Sequence, residues 1–99
     1  TELNEKNFEE SIKKGIKLVA FTAQWCGYCK KQKPILDEIS NQNIWIGNVD
    51  SEENPQIVSL YEIQAFPSFI IFKEGKPIAK FAGFKDKYNL LNTVLSYIK

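Results

Sequence analysis

The chain has 99 residues, 43% hydrophobic and 25% charged, with a formal net charge of +1. That balance excludes a disordered, charge-dominated chain, and no strong field draws it toward nucleic acid or an anionic membrane surface. Apolar runs such as Leu18–Phe21 and Phe69–Phe72 reach only four residues, far too short for a transmembrane helix.

At this length one domain, residues 1–99, is expected. Thr1 to Leu3 can form a short edge strand. Asn7 to Lys14 reads as a short helix with Phe8 and Ile12 on one face, and Gly15 is placed to end it. Lys17 to Ala23 is a strand, because LVAF is an apolar run of the kind buried in a parallel sheet. From Gly27 to Ile39 the pattern is helical, with Ile35, Leu36 and Ile39 on one side. Ile44 to Val49 is a second buried strand, with Trp45 in the core. Asn54-Pro55 reads as an N-cap followed by proline at the first helical position, opening a helix through Ile57, Val58 and Tyr61. Phe69 to Phe72 is a third strand, Glu74 to Pro77 a turn, and Ile78 to Ala82 a fourth strand antiparallel to the third. The last helix starts near Asp86 and is expected to bury Leu90, Leu91, Val94, Leu95 and Ile98. Strands alternating with helices argue for an α/β fold, with a mostly parallel sheet covered on both faces.

The stretch TAQWCGYCKK carries both cysteines, Cys26 and Cys29. A bridge between them would enclose two residues, too short a loop to staple a fold. A closed zinc site needs about four nitrogen or sulfur ligands. With two cysteines and no histidine, such a site would have to borrow carboxylates or a second chain, and no metal is expected. What remains is a dithiol that opens and closes, set against the plainer reading of two buried thiols. Cys26 falls where a strand hands over to a helix N-terminus, where free backbone N–H groups favour a thiolate, the nucleophilic form. Cys29 lies one turn on, with a Cβ separation of about 5–6 Å in an ideal helix. A disulfide wants about 3.5–4.5 Å, so a small adjustment closes the bridge. Cys26 is therefore read as the attacking thiol, and Cys29 as the resolving and more buried one.

The segment FTAQWCGYCKKQKPILDEI resembles the active-site segment of thioredoxins, F-x-A-x-W-C-G-P-C-K, followed by a helical proline (here Pro34) and an I-L-D-E-I run. Asn48 to Asp50 resembles that family's N-x-D. LYEIQAFPSFIIFKEGK resembles its Y-x-I-x-x-x-P-T-x-x-x-F-x-x-G, with Ser68 where threonine is usual, and Gly83 matches a glycine before the last helix. The likeness runs from Leu3 to Ile98. It implies the thioredoxin fold, a central mixed sheet of four to five strands flanked by helices on both faces. It also implies a cis peptide bond between Phe66 and Pro67, a loop facing the cysteines, and a backbone there that pairs with an extended substrate segment. Trp25, Gly27, Tyr28, Phe66 and Pro67 are then the substrate-binding residues, although Trp25 also reads as a half-buried core aromatic. Pro34 is expected to kink its helix, and Lys30, Lys31 and Lys33 to form a solvated face.

The sequence departs from the family at three places. Ala20 stands where a buried aspartate is usual, and Ile46 where its lysine partner often lies. Their joint loss is consistent, since either alone would be a buried unpaired charge. Tyr28 replaces the proline between the cysteines, and Thr22 replaces a common tryptophan. The expected function is a thiol–disulfide oxidoreductase that reduces protein disulfides through Cys26 and Cys29. The alternatives are an extracytoplasmic disulfide oxidase or isomerase, and a binding subunit of this fold without a redox role. No cofactor is expected beyond a redox-active Cys26–Cys29 disulfide. The partners implied are protein disulfides and a recycling reductase such as thioredoxin reductase, with no nucleic acid and no membrane. A monomer is expected, in the cytoplasm, or in the periplasm or another extracytoplasmic compartment if a signal peptide has been removed.

Overall fold

The apolar run at Leu18–Phe21 becomes the middle of a five-stranded sheet. A computed structural model describes residues 1–42 and 44–98. The elements follow in the order β1 (Glu2–Leu3), α1 (Phe8–Ile12), β2 (Ile16–Thr22), α2 (Gly27–Ser40), β3 (Ile46–Asp50), α3 (Pro55–Leu60), β4 (Ser68–Lys73), β5 (Lys76–Ala82) and α4 (Lys87–Ile98). The strand order is β1-β3-β2-β4-β5. β3 is parallel to both β1 and β2, while β4 runs antiparallel to β2 and to β5. The sheet is thus mixed, half parallel by pairing, where element alternation alone argued for a mostly parallel one. The reversal arises between α3 and β4, where the chain passes through a cis Phe66–Pro67 peptide and enters β4 against the direction of β2.

Both faces of the sheet are covered, and period-2 alternation along the strands explains how. Val19 and Phe21 of β2, with Ile70 and Phe72 of β4, pack against Phe8 and Ile12 of α1 and Ile57 of α3. Leu18 and Ala20, with Phe69 and Ile71, pack against Leu36 and Ile39 of α2 and Leu90 and Val94 of α4. The register Leu18↔Ile46, Ala20↔Asn48 and Thr22↔Asp50 sets Ile46, Asn48 and Asp50 on the α2 side as well.

Several boundaries differ from expectation for local reasons. α1 stops at Ile12, and Gly15 follows in the left-handed region at φ 71. Its N–H is taken by the Glu74 carboxylate at 2.9 Å, which ties this turn to the β4–β5 turn. β3 starts at Ile46, two residues later than the apolar run suggests, and Trp45 is half-buried with Lys17 Nζ 4.7 Å from its ring centroid. Asn54 makes no side-chain cap to α3; its amide instead donates to the Asp50 carbonyl at 2.9 Å. α3 ends at Leu60, and Lys80 Nζ donates to the Tyr61 and Glu62 carbonyls at 2.8 and 3.0 Å, a cation placed at a helix C-terminus. In α4 only Leu90 and Val94 are buried; Leu91 is half-buried, and Leu95 and Ile98 are exposed. The helix lies across the sheet with one stripe down, so apolar residues off that stripe stay in contact with water.

Candidate functional site

β2 ends at Thr22, and a tight turn follows in which the Cys26 N–H donates to the Ala23 carbonyl at 3.1 Å. Cys26 is the N-cap of α2, with extended backbone at φ −84 and ψ 113. Its sulfur does what an N-cap oxygen does: the Cys29 N–H donates to Cys26 Sγ at 3.2 Å. A donor aimed at this sulfur from a helix N-terminus favours negative charge on it. The Cys26 thiol also donates to the Phe66 carbonyl at 3.5 Å. That contact joins the cysteine turn to the loop ending in the cis Phe66–Pro67 bond.

The two thiols, both free, are buried to the same degree, 5% exposed at Cys26 and 6% at Cys29. Cys29 was expected to be the more buried. The half-buried Phe66 packs against the cluster that Ala23 and the two cysteines form, and its carbonyl meets Cys26 from a loop far away in sequence. The Cys29 thiol is pushed up to about 11, chiefly by burial and then by its hydrogen bond to Cys26. At neutral pH it holds its proton.

The other candidate residues surround this pair. Trp25 is 70% exposed and packs edge-on to Phe66 with ring centroids 5.7 Å apart, so it is a surface aromatic and not core. Tyr28, 61% exposed, lies 6.4 Å from the Phe84 ring, with Lys31 Nζ 5.7 Å from its own centroid. Gly27 opens α2, and a Cβ there would meet nothing within 4 Å, so no steric demand selects glycine. Pro67 is buried, and its carbonyl accepts the Gly83 N–H at 2.8 Å. Trp25 with Phe66, and Tyr28 with Phe84, thus form two aromatic pairs around the cysteine turn, in which Phe66 is half-buried and the other three rings are exposed. Lys30, Lys31 and Lys33 are exposed. Pro34 lies inside α2, where it cannot donate to the preceding turn.

One supporting residue was not singled out from sequence. Gln32 is fully buried, and its side chain clasps the Lys85 backbone both ways: Nε2 donates to the carbonyl and Oε1 accepts the N–H, each at 2.9 Å. This clasp fixes the Phe84–Lys85 segment against the first turns of α2. The available signal was its place on the buried stripe Cys29, Gln32, Leu36, Ile39, where a polar residue requires partners.

Two clefts flank the site. One, of about 410 Å³, lies between Trp25, Phe66 and α3. The other, of about 470 Å³, lies behind Cys29, between α2 and the β1–β3–β2 part of the sheet. Ala20, fully buried on the α2 side of the sheet, brings no carboxylate to that core, and Ile46, which lines this cleft, brings no amine. Among the described residues no group of three or more His, Cys, Asp or Glu is placed to hold a metal ion. No helix there is long and apolar enough to cross a membrane.

Comparison with known proteins agrees with this geometry. A family model described as Thioredoxin matches residues 1–96. The chain is 40% identical over 91 residues to a thioredoxin of Staphylococcus haemolyticus, covering 89% of this chain and 88% of that one. It is 34% identical over 99 residues to one of Staphylococcus saprophyticus (97% and 95% covered). A Chlamydia pneumoniae thioredoxin is 35% identical over 94 residues (93% and 92% covered). Among solved structures, a mutant thioredoxin of Halobacterium salinarum superposes with a TM-score of 0.92 over 99% of this chain and 89% of that one. At 22% identity that likeness speaks for the fold.

Proposed function

The chain belongs to the thioredoxin family and is a thiol–disulfide oxidoreductase of that type; we propose that Cys26 is its nucleophile and Cys29 its resolving thiol, acting as a protein-disulfide reductase. The observation that carries this division of labour is the inequivalence of the two sulfurs. Cys26 Sγ receives the Cys29 N–H at 3.2 Å at a helix N-terminus, whereas the Cys29 thiol is pushed up to about 11.

The Cys26 thiolate attacks one sulfur of a substrate disulfide. The substrate S–S bond breaks, its other sulfur leaves as a thiolate and takes a proton, and a mixed disulfide joins Cys26 to the substrate. Cys29, once deprotonated, attacks Cys26 Sγ. The Cys26–Cys29 bond forms and the second substrate sulfur leaves, so the substrate gains two electrons and the protein becomes the disulfide. A dithiol-regenerating reductase of the thioredoxin reductase type then returns two electrons. The exposed Trp25, with Phe66 and Pro67 beside the sulfurs, supplies the surface on which an extended substrate segment lies, and Gly27 and Tyr28 border it. The single domain of residues 1–99 works as a cytoplasmic monomer in this reading.

Reduction of insulin disulfides, followed by turbidity with dithiothreitol and then with NADPH and a thioredoxin reductase, tests it. Wild type accelerates the reaction and Cys26→Ser does not. A Cys26→Ser variant as active as wild type would overturn the reading.

A further inference from the structure

In resolving the mixed disulfide, the Cys29 proton must go somewhere. The thiol is buried, and neither Ala20, in the core on the α2 side of the sheet, nor Ile46, which lines a cleft with Cys29, can accept a proton. The cleft behind Cys29 offers another way out. At about 470 Å³ it has room for several waters, each needing about 30 Å³ and two to four polar partners.

Its floor supplies those partners. The Thr22 hydroxyl donates to Asn48 Oδ1 at 3.0 Å, which leaves the hydroxyl oxygen free to accept. Thr22 is also small, and a bulky side chain at its place would fill the cleft. The charged groups facing the cleft are the Thr1 amino group and Glu2 on the β1 side, Asp50 on β3, and Lys30, Lys33 and Asp37 on α2. Three of these are carboxylates. Asp37 lies eight residues along α2 from Cys29, about 12 Å of helix rise. Glu2 pairs with Asn48, one rung farther down the sheet, and its Oε1 accepts from Asn48 Nδ2 at 3.2 Å. Asp50 pairs with Thr22 itself, directly below the turn that carries the cysteines. Its Oδ2 accepts from Gln24 Nε2 at 3.1 Å and its Oδ1 from the Glu52 N–H at 3.0 Å. These bonds fix the carboxylate at the mouth of the turn and leave lone pairs for water.

We infer that Asp50 is the proton acceptor for Cys29 during resolution, reached through water in the cleft that Thr22 leaves open. The inference rests on the assignment of Cys26 as nucleophile and Cys29 as resolving thiol. In balance, the Cys29 S–H gives its proton to a cleft water, which passes one to Asp50 and from there to solvent. The Cys29 thiolate forms the bond to Cys26 Sγ as the substrate thiolate leaves with the electron pair. Asp50 acts through water and not on the reacting sulfurs, so it is a positioning and relay residue.

The probe is 5,5′-dithiobis(2-nitrobenzoate), mixed with reduced protein in excess. A first thionitrobenzoate is released on attack by Cys26 and a second on resolution by Cys29. Asp50→Asn should leave the first phase as it is and slow the second about tenfold or more at about pH 7. The deficit should shrink toward about pH 10, where hydroxide removes the proton without help. Asp50→Glu should restore most of the second rate, and Thr22→Leu, which fills the cleft without changing charge, should slow it. An Asp50→Asn second phase within about twofold of wild type would overturn the proposal, as would an equal slowing at every pH, which marks a structural effect alone. A fast first release that survives in Cys26→Ser would instead overturn the thiol assignment on which the proposal stands.

Discussion

The buried, protonated Cys29 makes the stability of the reduced protein depend on pH in the alkaline range. The thiol rises from 9.0 to about 11 on folding. Between those values the unfolded chain has lost this proton while the folded chain keeps it. The unfolded state binds fewer protons, so stability falls as pH rises. The contribution is fully present below about pH 9 and is lost through about pH 11. At about 1.4 kcal/mol per unit the full shift corresponds to about 2–3 kcal/mol, and screening by nearby solvent together with the coupling to Cys26 brings the contribution down to about 1 kcal/mol, against the roughly 5–15 kcal/mol that holds a typical domain folded. The perturbation is Cys29→Ser, which removes the titrating group. Urea unfolding with excess phosphine reductant, at steps from about pH 8 to about pH 11, reads the effect as the difference in midpoint at constant slope. Tyr61, raised by burial and then by Glu9, loses stability in the same direction, but it titrates in both proteins and cancels in the difference. Wild type should lose about 1 kcal/mol more than Cys29→Ser over this range. Parallel curves would refute the placing of a buried, proton-holding thiol at Cys29.

Three further outcomes follow from packing and exposure. Gly47→Ala puts a Cβ 2.6 Å from Leu3 Cδ1 and 2.7 Å from the Trp45 ring, so urea unfolding should show a loss of about 1–3 kcal/mol. Gln32→Leu leaves the Lys85 N–H and carbonyl without their partner and frees Phe84 from its place beside Tyr28. It should cost about 1–3 kcal/mol in unfolding assays and raise KM for protein disulfides. Trp25→Ala, at a site 70% exposed, should change stability by less than about 0.5 kcal/mol. Insulin-reduction kinetics should still show a several-fold lower kcat/KM, because the aromatic proposed to face the substrate is gone.

What could be read from sequence was whatever is local. The LVAF run and the cysteine pair at a strand-to-helix junction are written in neighbouring residues, and the structure has both where they were expected, as it has the short β4–β5 turn, except that β5 already begins at Lys76 and takes in Pro77. What could not be read depends on partners distant in the chain. Cys26 is as buried as Cys29 because Phe66, forty residues on, packs against their cluster. The antiparallel β2–β4 pairing depends on how the chain returns from α3. Leu95 and Ile98 look like core in a helical pattern, but only one stripe of α4 reaches the sheet. Gln32 reads as an ordinary polar helix residue until its Lys85 partners are known. Thr22 and Ala20 stood out in sequence as departures, whereas the cleft behind Cys29 became visible only with α2 packed over Asn48 and Asp50.

The division of roles between the two sulfurs is tested most directly by trapping. Cys29→Ser, reduced and mixed with a protein disulfide such as insulin, keeps the attacking thiol and loses the resolving one. Peptide mapping by mass spectrometry should find a stable mixed disulfide on Cys26, and Cys26→Ser should yield no comparable adduct at neutral pH, where the Cys29 thiol keeps its proton. A Cys26→Ser protein that captures substrate through Cys29 as fast as Cys29→Ser does through Cys26 would contradict the account.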